Sequence, residues 1–130
     1  MLYFIMIVVF SIFVCLILVC LALYFYFYKK TKTDKNVEIL FFYTDWCPHC
    51  TSAKPEWNAF KSETKTVNGY TIIYNEINCT KESSESDAMM EKYKVEGFPT
   101  IKLIANGKVY DFDTKPTKQN LTQFVNSVLN

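Results

Sequence analysis

Two cysteines, Cys47 and Cys50, are separated by two residues in the sequence WCPHC at residues 46–50. Thiols at this spacing can close a disulfide and exchange it with other thiols, or they can supply half of a tetrahedral zinc site. Zinc would need two more ligands, and only His49 and Cys79 are available beyond residue 36. Simultaneous chelation by His49, between the two cysteines, is strained. The sequence therefore favours thiol exchange and predicts no metal.

The position of the two thiols predicts different roles for them. They follow a nearly continuous apolar run at 37–43, which is typical of a strand buried on both faces, and they begin a helical pattern that extends over about 48–65. Backbone N–H groups at a helix start stabilise a thiolate. We therefore expect Cys47, nearer the start and more exposed, to be the attacking nucleophile. Cys50, one turn further in, is expected to resolve the mixed disulfide by attacking Cys47.

The dipeptide between the cysteines bears on the direction of the redox reaction. His49 can donate a hydrogen bond or a positive charge to the Cys47 thiolate, which stabilises the reduced form. A more stable reduced form makes the disulfide a stronger oxidant. Pro48 and His49 therefore favour donation of a disulfide to other proteins over reduction.

The rest of the chain predicts alternating strands and helices. The predicted helix after the dithiol contains Pro55. The further expected elements are a strand at 70–77, a short helix with Ser84 as its N-cap, a hairpin of 100–105 and 108–112 about Asn106-Gly107, and a closing helix capped by Thr117. The order βαβ, helix, ββα predicts a mixed sheet with helices on its faces.

The first residues of the chain are of a different kind. Ser11 is the only residue of 1–28 that is not one of A, V, I, L, M, F, W, Y and C, and this segment carries no charge. A helix of this length exceeds the roughly 30 Å of a bilayer's hydrocarbon core. We therefore predict a transmembrane helix at 1–28, a linker at 29–36 and a folded domain at 37–130. The alternative is a cleaved secretory signal, but its charged n-region, short apolar core and small-residue cleavage site are not found here. A freely soluble cytosolic protein is excluded.

The side of the membrane that carries the domain stays open. The lysines after residue 28 favour the cytosolic side by the positive-inside rule, whereas glycosylation triplets at 78–80 and 120–122 would be usable only in a secretory lumen. The net charge of +1 shows no basic excess, so nucleic acid is not an expected partner. All 14 basic residues are lysine. This bias fits an AT-rich genome, such as that of a protist or a large DNA virus.

Residues 37–130 resemble a thioredoxin-fold domain of the protein disulfide isomerase type. The resemblance rests on FYTDWCPHC at 42–50, on YKVEGFPT at 93–100, on the hairpin and on the final apolar helix. It implies an α/β, truncated thioredoxin fold, a mixed β-sheet flanked by helices after one transmembrane helix. It also implies a cis Pro99 that faces the dithiol. Trp46, Pro48, Phe98 and Pro99 are the implied substrate-binding residues, and the Cys47–Cys50 disulfide is the only redox group.

Three departures from this family stand out. The inner Pro48-His49 resembles that of bacterial periplasmic disulfide oxidases. Phe41 occupies the position where the family usually buries an acid that moves a proton for the second cysteine, so Glu38, water or another group would have to serve. The first strand and helix of the family are lacking, so the strand at 70–77 is expected to be a sheet edge. Cys79, which follows that strand, is expected to be structural, with an intermolecular disulfide as the alternative.

These features predict a membrane-anchored thiol–disulfide oxidoreductase that oxidises or isomerises cysteine-containing protein substrates and uses an unknown redox partner. We expect a single-pass membrane protein of the endoplasmic reticulum or another secretory membrane, or of a virion membrane if the source is a virus. Two alternatives remain: an anchored thioredoxin-like reductant, and a docking or assembly protein without catalysis. The intact cysteine pair argues against the second, because docking needs neither thiol.

Overall fold

The computed structural model describes residues 1–31 and 35–130, which belong to two separate units. The first contains one helix, α1 (Leu2–Thr31), whose segment Leu2–Phe27 is 26 residues long and is long and apolar enough to cross a membrane. The apolar side chains of this segment are exposed. Residues 32–34 of the expected linker at 29–36 lie outside the described part of the chain.

The second unit has the predicted order of elements, with one addition. Its elements are β1 (Lys35–Tyr43), α2 (Pro48–Glu63), β2 (Thr66–Val67), β3 (Tyr70–Asn78), α3 (Ser84–Tyr93), β4 (Thr100–Ala105), β5 (Lys108–Phe112) and α4 (Lys118–Val128). Strand β1 begins two residues before the predicted 37. The N-cap of α3 is Ser83, not Ser84, because the Ser83 hydroxyl accepts the N–H of Ser86 at 3.1 Å.

The strands form one mixed sheet in the order β2-β3-β1-β4-β5. Strand β1 is central, parallel to β3 and antiparallel to β4. Its side chains from Ile39 to Tyr43 are buried on both faces, as the apolar run at 37–43 predicts. Since β4 runs against β1, its first residue, Thr100, pairs with Phe42 near the end of β1. This pairing brings the chain just before β4 beside the segment that leaves β1.

The expectation that β3 forms the sheet edge is only partly correct. Asn68 and Gly69 both have positive φ values, 49° and 81°, and turn the chain back as a hairpin. Strand β2 therefore pairs with the beginning of β3, with Val67 opposite Tyr70. Among residues 35–130, no strand covers the remainder of β3 on this side.

Helix α2 lies on one face of β1 and holds the dithiol at its start. Ala53, Trp57 and Phe60 form its buried face, as their spacing predicts. The Trp57 ring packs on Phe41 of β1, with ring centroids 4.9 Å apart. Pro55 lies inside the helix, as predicted. This packing fixes the position of the helix start relative to the end of β1.

Helix α4 packs beside α2 and contacts β5. Thr117 is its N-cap, as predicted, and accepts the N–H of Asn120 at 3.2 Å. The next backbone N–H, that of Lys118, donates to the Glu56 carboxylate of α2 at 2.7 Å. The α4 start is thereby held against the middle of α2.

Candidate active site: a dithiol beside a cis proline

Cys47 is the N-cap of α2, and its sulfur replaces the oxygen that usually caps a helix. The Sγ atom accepts the backbone N–H of Cys50 at 3.3 Å. Pro48 is the first helical residue, where its missing N–H costs nothing and its fixed φ suits the helix. A negative charge on the Cys47 sulfur would therefore meet an N–H donor and the positive end of the helix dipole.

Both thiols are buried, which differs in part from the expectation for Cys47. The exposed fraction is 5% for Cys47 and 1% for Cys50, so the predicted order holds but the difference is small. Neither cysteine is in a disulfide. Burial and the neighbouring Cys47 raise the pKa of Cys50 to about 11, against a smaller lowering by the backbone and the side chain of Thr44. Cys50 is thus the thiol that must be activated before it can attack.

The Phe98–Pro99 peptide bond is cis, which is the geometry that the family resemblance implies. The Cys47 thiol donates to the Phe98 carbonyl oxygen, with 3.6 Å between sulfur and oxygen. The chain reaches this point because Lys94 ends α3 in the left-handed region, with φ 52°, and because the Thr100 hydroxyl donates to the Gly97 carbonyl at 2.7 Å. The structure therefore brings the nucleophile and the proline together across about fifty residues of sequence.

A front groove of about 510 Å³ opens beside the first thiol. It is lined by His49, Ser52, Ala53, Glu56, Phe98, Pro99, Lys115, Pro116 and Thr117. The Trp46 ring next to it is 69% exposed and meets the Phe98 ring edge to face, with centroids 6.4 Å apart. Exposed aromatic rings beside a reactive sulfur provide an apolar surface on which an unfolded chain can lie.

His49 and Pro48 both face solvent. His49 lines the front groove but makes no hydrogen bond to Cys47 among the described residues. In this reduced form, the Cys47 sulfur contacts the Cys50 N–H, the Phe98 carbonyl and the Cys50 thiol. The role of His49 in stabilising the thiolate stays a prediction.

Behind the dithiol, the apolar Phe41 of β1 stands at the position where the family usually has an acid. Phe41 is fully buried, in the same core cluster as the two cysteines, and stacks on Tyr43 at 5.2 Å. Glu38 does not replace the acid, because the alternation of a strand puts it on the opposite face from Phe41. Its exposed carboxylate instead accepts the side-chain N–H of Asn75 at 3.3 Å.

An acid does lie on the α2 side of the sheet, on the neighbouring strand. Glu76 is paired with Phe41 in register, and its carboxylate accepts the Trp57 indole N–H at 3.0 Å and contacts the Lys61 ammonium at 2.7 Å. Burial raises the pKa of Glu76, but the hydrogen bonds from Lys61 and Trp57 lower it further, so it lies below its ordinary value. These partners indicate a structural role.

A second opening, the rear cavity, has a volume of about 500 Å³ and was not expected from the sequence. It is lined by Tyr43, Thr44, Asp45, Cys50, Thr51, Lys54, Pro55 and Asn58. Lys54 lies one helical turn after Cys50, and its ammonium is 4.1 Å from the centre of the Tyr43 ring. That i, i+4 spacing was the available signal for a cation on the Cys50 side of the helix.

Cys79 is half-buried at the end of β3, as expected of a structural cysteine. Its backbone N–H donates to the Tyr43 carbonyl at 2.8 Å, and burial together with Asp87 raises the pKa of its thiol. Nearby, the Asp45 N–H donates to the Thr80 hydroxyl at 2.8 Å. These bonds fix the loop that leads from β1 to the dithiol.

Comparison with known proteins gives consistent matches. A profile of the family described as Thioredoxin matches residues 25–127. Protein disulfide-isomerase TMX3 of Xenopus laevis is 32% identical over 100 residues, which cover 77% of this chain and 21% of that protein. ER-retained PMA1-suppressing protein 1 of Saccharomyces cerevisiae is 34% identical over 101 residues, which cover 73% and 13%. This chain thus spans about a fifth or less of these relatives.

Among solved structures, the first thioredoxin domain of mouse protein disulfide-isomerase A4 superimposes with a TM-score of 0.62 at 28% identity, covering 79% of this chain and 70% of that one. Human ERp44 superimposes with a TM-score of 0.61 at 17% identity, over 75% of this chain and 29% of that one. The second likeness concerns the fold alone.

Proposed function

Because the chain belongs to the thioredoxin family, we propose that it is a membrane-anchored thiol–disulfide oxidoreductase that forms or rearranges disulfides in protein substrates. The observation that carries this proposal is the geometry of the dithiol. Cys47 caps α2, lies against the carbonyl before a cis proline, and has Cys50 one turn behind it. This arrangement serves an exchange reaction at the first sulfur and resolution by the second.

In the oxidising direction, the reaction starts from the Cys47–Cys50 disulfide. A substrate thiolate attacks the Cys47 sulfur, and Cys50 leaves as a thiolate and takes a proton. A second substrate thiolate then attacks the substrate sulfur of the mixed disulfide and releases Cys47, which is stabilised by the Cys50 N–H at 3.3 Å. The substrate loses two electrons and two protons to the dithiol, which a disulfide-bearing partner must reoxidise.

Two features support the oxidising or isomerising direction over the reducing one. The first sulfur is the N-cap of a helix, which stabilises its thiolate and hence the reduced dithiol. His49 lines the front groove, and a protonated imidazole there would stabilise the thiolate further. A measured potential near about −120 to −180 mV would support disulfide donation, and one near about −270 mV would assign the chain as a reductant instead.

Helix α1 supports attachment to a membrane, because the exposed apolar side chains of its 26-residue segment Leu2–Phe27 are stable in lipid and not in water. One relative is named a protein disulfide-isomerase, and another is named as retained in the endoplasmic reticulum. We therefore place the anchor in that membrane and the dithiol in its lumen, where disulfides persist. In intact microsomes, added protease should leave the domain whole until detergent is added. Cleavage without detergent would put it on the cytosolic side.

The activity test uses the full-length chain in detergent micelles with reduced, unfolded pancreatic ribonuclease in a glutathione buffer. We expect recovery of ribonuclease activity to be faster than with the variant in which Cys47 and Cys50 are both serine. That variant keeps the fold and the apolar rim of the front groove, which is formed by Trp46 and Phe98. It is therefore the matched control for docking alone. Equal rates for the two proteins would reject catalysis and favour the docking or assembly alternative.

A further inference from the structure

Thr44 carries a buried hydroxyl that makes no hydrogen bond of ordinary geometry among the described residues, although its interaction with the Cys50 thiol lowers the pKa of that thiol. The residue is 1% exposed and directly follows β1. Buried polar atoms are nearly always paired, so an unpaired one calls for a specific explanation, such as a role in the reaction or an ordered water. Valine would fill the same space without the unpaired oxygen.

Thr44 lines the rear cavity together with Cys50 and Lys54, and its hydroxyl oxygen is buried just behind the surface. About 500 Å³ is room for several waters, which need two to four polar partners each. Thr44 and Lys54 are polar residues of this lining, beside the second thiol. The cavity therefore gives Cys50 contact with water that does not pass through the substrate groove.

Cys50 needs this contact because it must lose a proton to resolve a mixed disulfide. Cys50 is 1% exposed, and burial and Cys47 raise the pKa of its thiol to about 11. The family's acid position holds the apolar Phe41, and Glu38 faces the other side of the sheet. The Thr44 hydroxyl and backbone act in the opposite sense and lower the pKa of Cys50.

The other titratable groups around Cys50 do not perform this task. Cys47, the neighbour on the same turn, raises the pKa of Cys50, and His49 points to the front groove. Tyr43 and Asp45 line the rear cavity, but the Tyr43 ring lies under the Lys54 ammonium and the Asp45 carboxylate accepts the Asn78 amide at 3.2 Å. Of the described residues that line the cavity, Lys54 is the one cation.

We propose that Thr44 and Lys54 are positioning residues that activate Cys50 through water in the rear cavity. This proposal rests on the proposed exchange function. The Thr44 hydroxyl accepts the Cys50 proton and passes its own proton to water, while the Lys54 ammonium stabilises the thiolate through the same water. The Cys50 thiolate then attacks the Cys47 sulfur; the Cys47–Cys50 bond forms, and the bond to the substrate breaks. The substrate sulfur leaves with the electron pair and takes a proton from water.

The test mixes the reduced full-length chain in micelles with a peptide that contains one disulfide. Acid quenching and mass spectrometry follow the mixed disulfide at Cys47 as it forms and as Cys50 resolves it. Between pH 6 and 9, we expect Thr44→Val to slow resolution by about tenfold while formation keeps its rate. Lys54→Met should slow it by about threefold, less so at high salt.

The matched control is Thr51→Val, which removes another hydroxyl that lines the same cavity. That hydroxyl already donates to the Cys47 carbonyl at 3.2 Å, so its loss should leave the pH profile of resolution unchanged. Thr44→Ser keeps the oxygen and should restore the wild-type profile. If Thr44→Val does not fold, Thr44→Ala compared with Thr44→Ser makes the same comparison.

The outcomes separate the two proposals. An unchanged resolution rate and pH profile in Thr44→Val, or in Thr44→Ala, would overturn the role of the rear cavity while the exchange function stands. Equal slowing by Thr51→Val would also overturn it, because the effect would then be one of packing. If wild-type Cys47 forms no mixed disulfide with the peptide, the exchange function itself fails.

Discussion

The front groove and the rear cavity lie on two sides of one dithiol and serve it by different means. At the front, the Cys47 sulfur contacts main-chain atoms: the Cys50 N–H at 3.3 Å and the Phe98 carbonyl at 3.6 Å. At the rear, the Cys50 thiol meets both the backbone and the side chain of Thr44, and Lys54 also lines the cavity beside it. The front is therefore built mainly by the fold, whereas the rear also depends on individual side chains.

The family resemblance predicts the contacts of the first sulfur but not the side chains behind the second sulfur. Any chain that places a strand end, a helix start and a cis proline in this order offers the same main-chain contacts to its first sulfur. The side chains behind the second sulfur can change without altering the fold, and here Phe41 stands where the family usually has an acid. The first half of the exchange reaction follows from topology, while the second depends on this sequence.

The largest expected effect comes from removing each sulfur in turn. Cys47→Ser should reduce exchange with a peptide disulfide to the uncatalysed rate, since no other described thiol lies in the groove. Cys50→Ser should leave the first attack nearly intact and trap the mixed disulfide, because the resolving thiol is absent. Mass spectrometry of the full-length variants after reaction with the peptide measures both. Trapping on Cys79, or by Cys47→Ser, would invalidate the division of roles between the sulfurs.

An intermediate effect is expected at the rim of the front groove. Trp46→Ala removes an exposed ring that meets Phe98 edge to face, so an unfolded substrate should bind about two- to tenfold more weakly. Exchange with a small disulfide such as oxidised glutathione should be unaffected, because it does not need the rim. The control is Val109→Ala, an exposed apolar residue on β5. If both variants bind the unfolded substrate equally weakly, or if Trp46→Ala also slows exchange with glutathione, the rim does not bind the unfolded substrate.

The front of the site could be predicted from sequence because its signals are local. The apolar run at 37–43, the proline after Cys47 and the i, i+4, i+7 apolar positions of α2 each specify an element and the point where it starts. The cis geometry of Pro99 came from the family resemblance and not from the residues alone. Main-chain contacts then follow from how these elements pack.

The rear could not be predicted, because its groups meet only after packing. Thr44 is an ordinary polar residue after a strand, and its burial depends on the loop that Asp45 and Thr80 fix at 2.8 Å. Glu38 was considered for Cys50, yet the side-chain alternation of β1 puts it on the other face. The short strand β2 was not predicted, because its two residues are too few to show a pattern, and it forms only where Asn68-Gly69 turns the chain back.

The smallest effect is expected at Glu76, the acid nearest to Phe41 in register, and it tests whether the rear depends on a carboxylate after all. Folding lowers the pKa of Glu76 below 4.5, so its contribution to stability is complete above about pH 4.5 and is lost as the pH falls through the lower, folded value. Glu76→Gln keeps an oxygen for the Trp57 indole but loses the charge that faces Lys61. Because that ion pair is partly exposed, we expect a loss of about 0.5–1 kcal/mol in the free energy of unfolding at pH 7, which vanishes as the pH falls below the folded pKa of Glu76.

Urea unfolding of the full-length chain in micelles, followed by tryptophan fluorescence, measures this loss, with Glu38→Gln as the control for an exposed carboxylate. The pH profile of mixed-disulfide resolution should be the same in Glu76→Gln and wild type, since the carboxylate is held by Trp57 and Lys61. A shift of that profile would make Glu76 the proton acceptor for Cys50. The rear would then depend on an acid supplied by β3, and the contrast between a front made by the fold and a rear made by Thr44 and Lys54 would have to be abandoned.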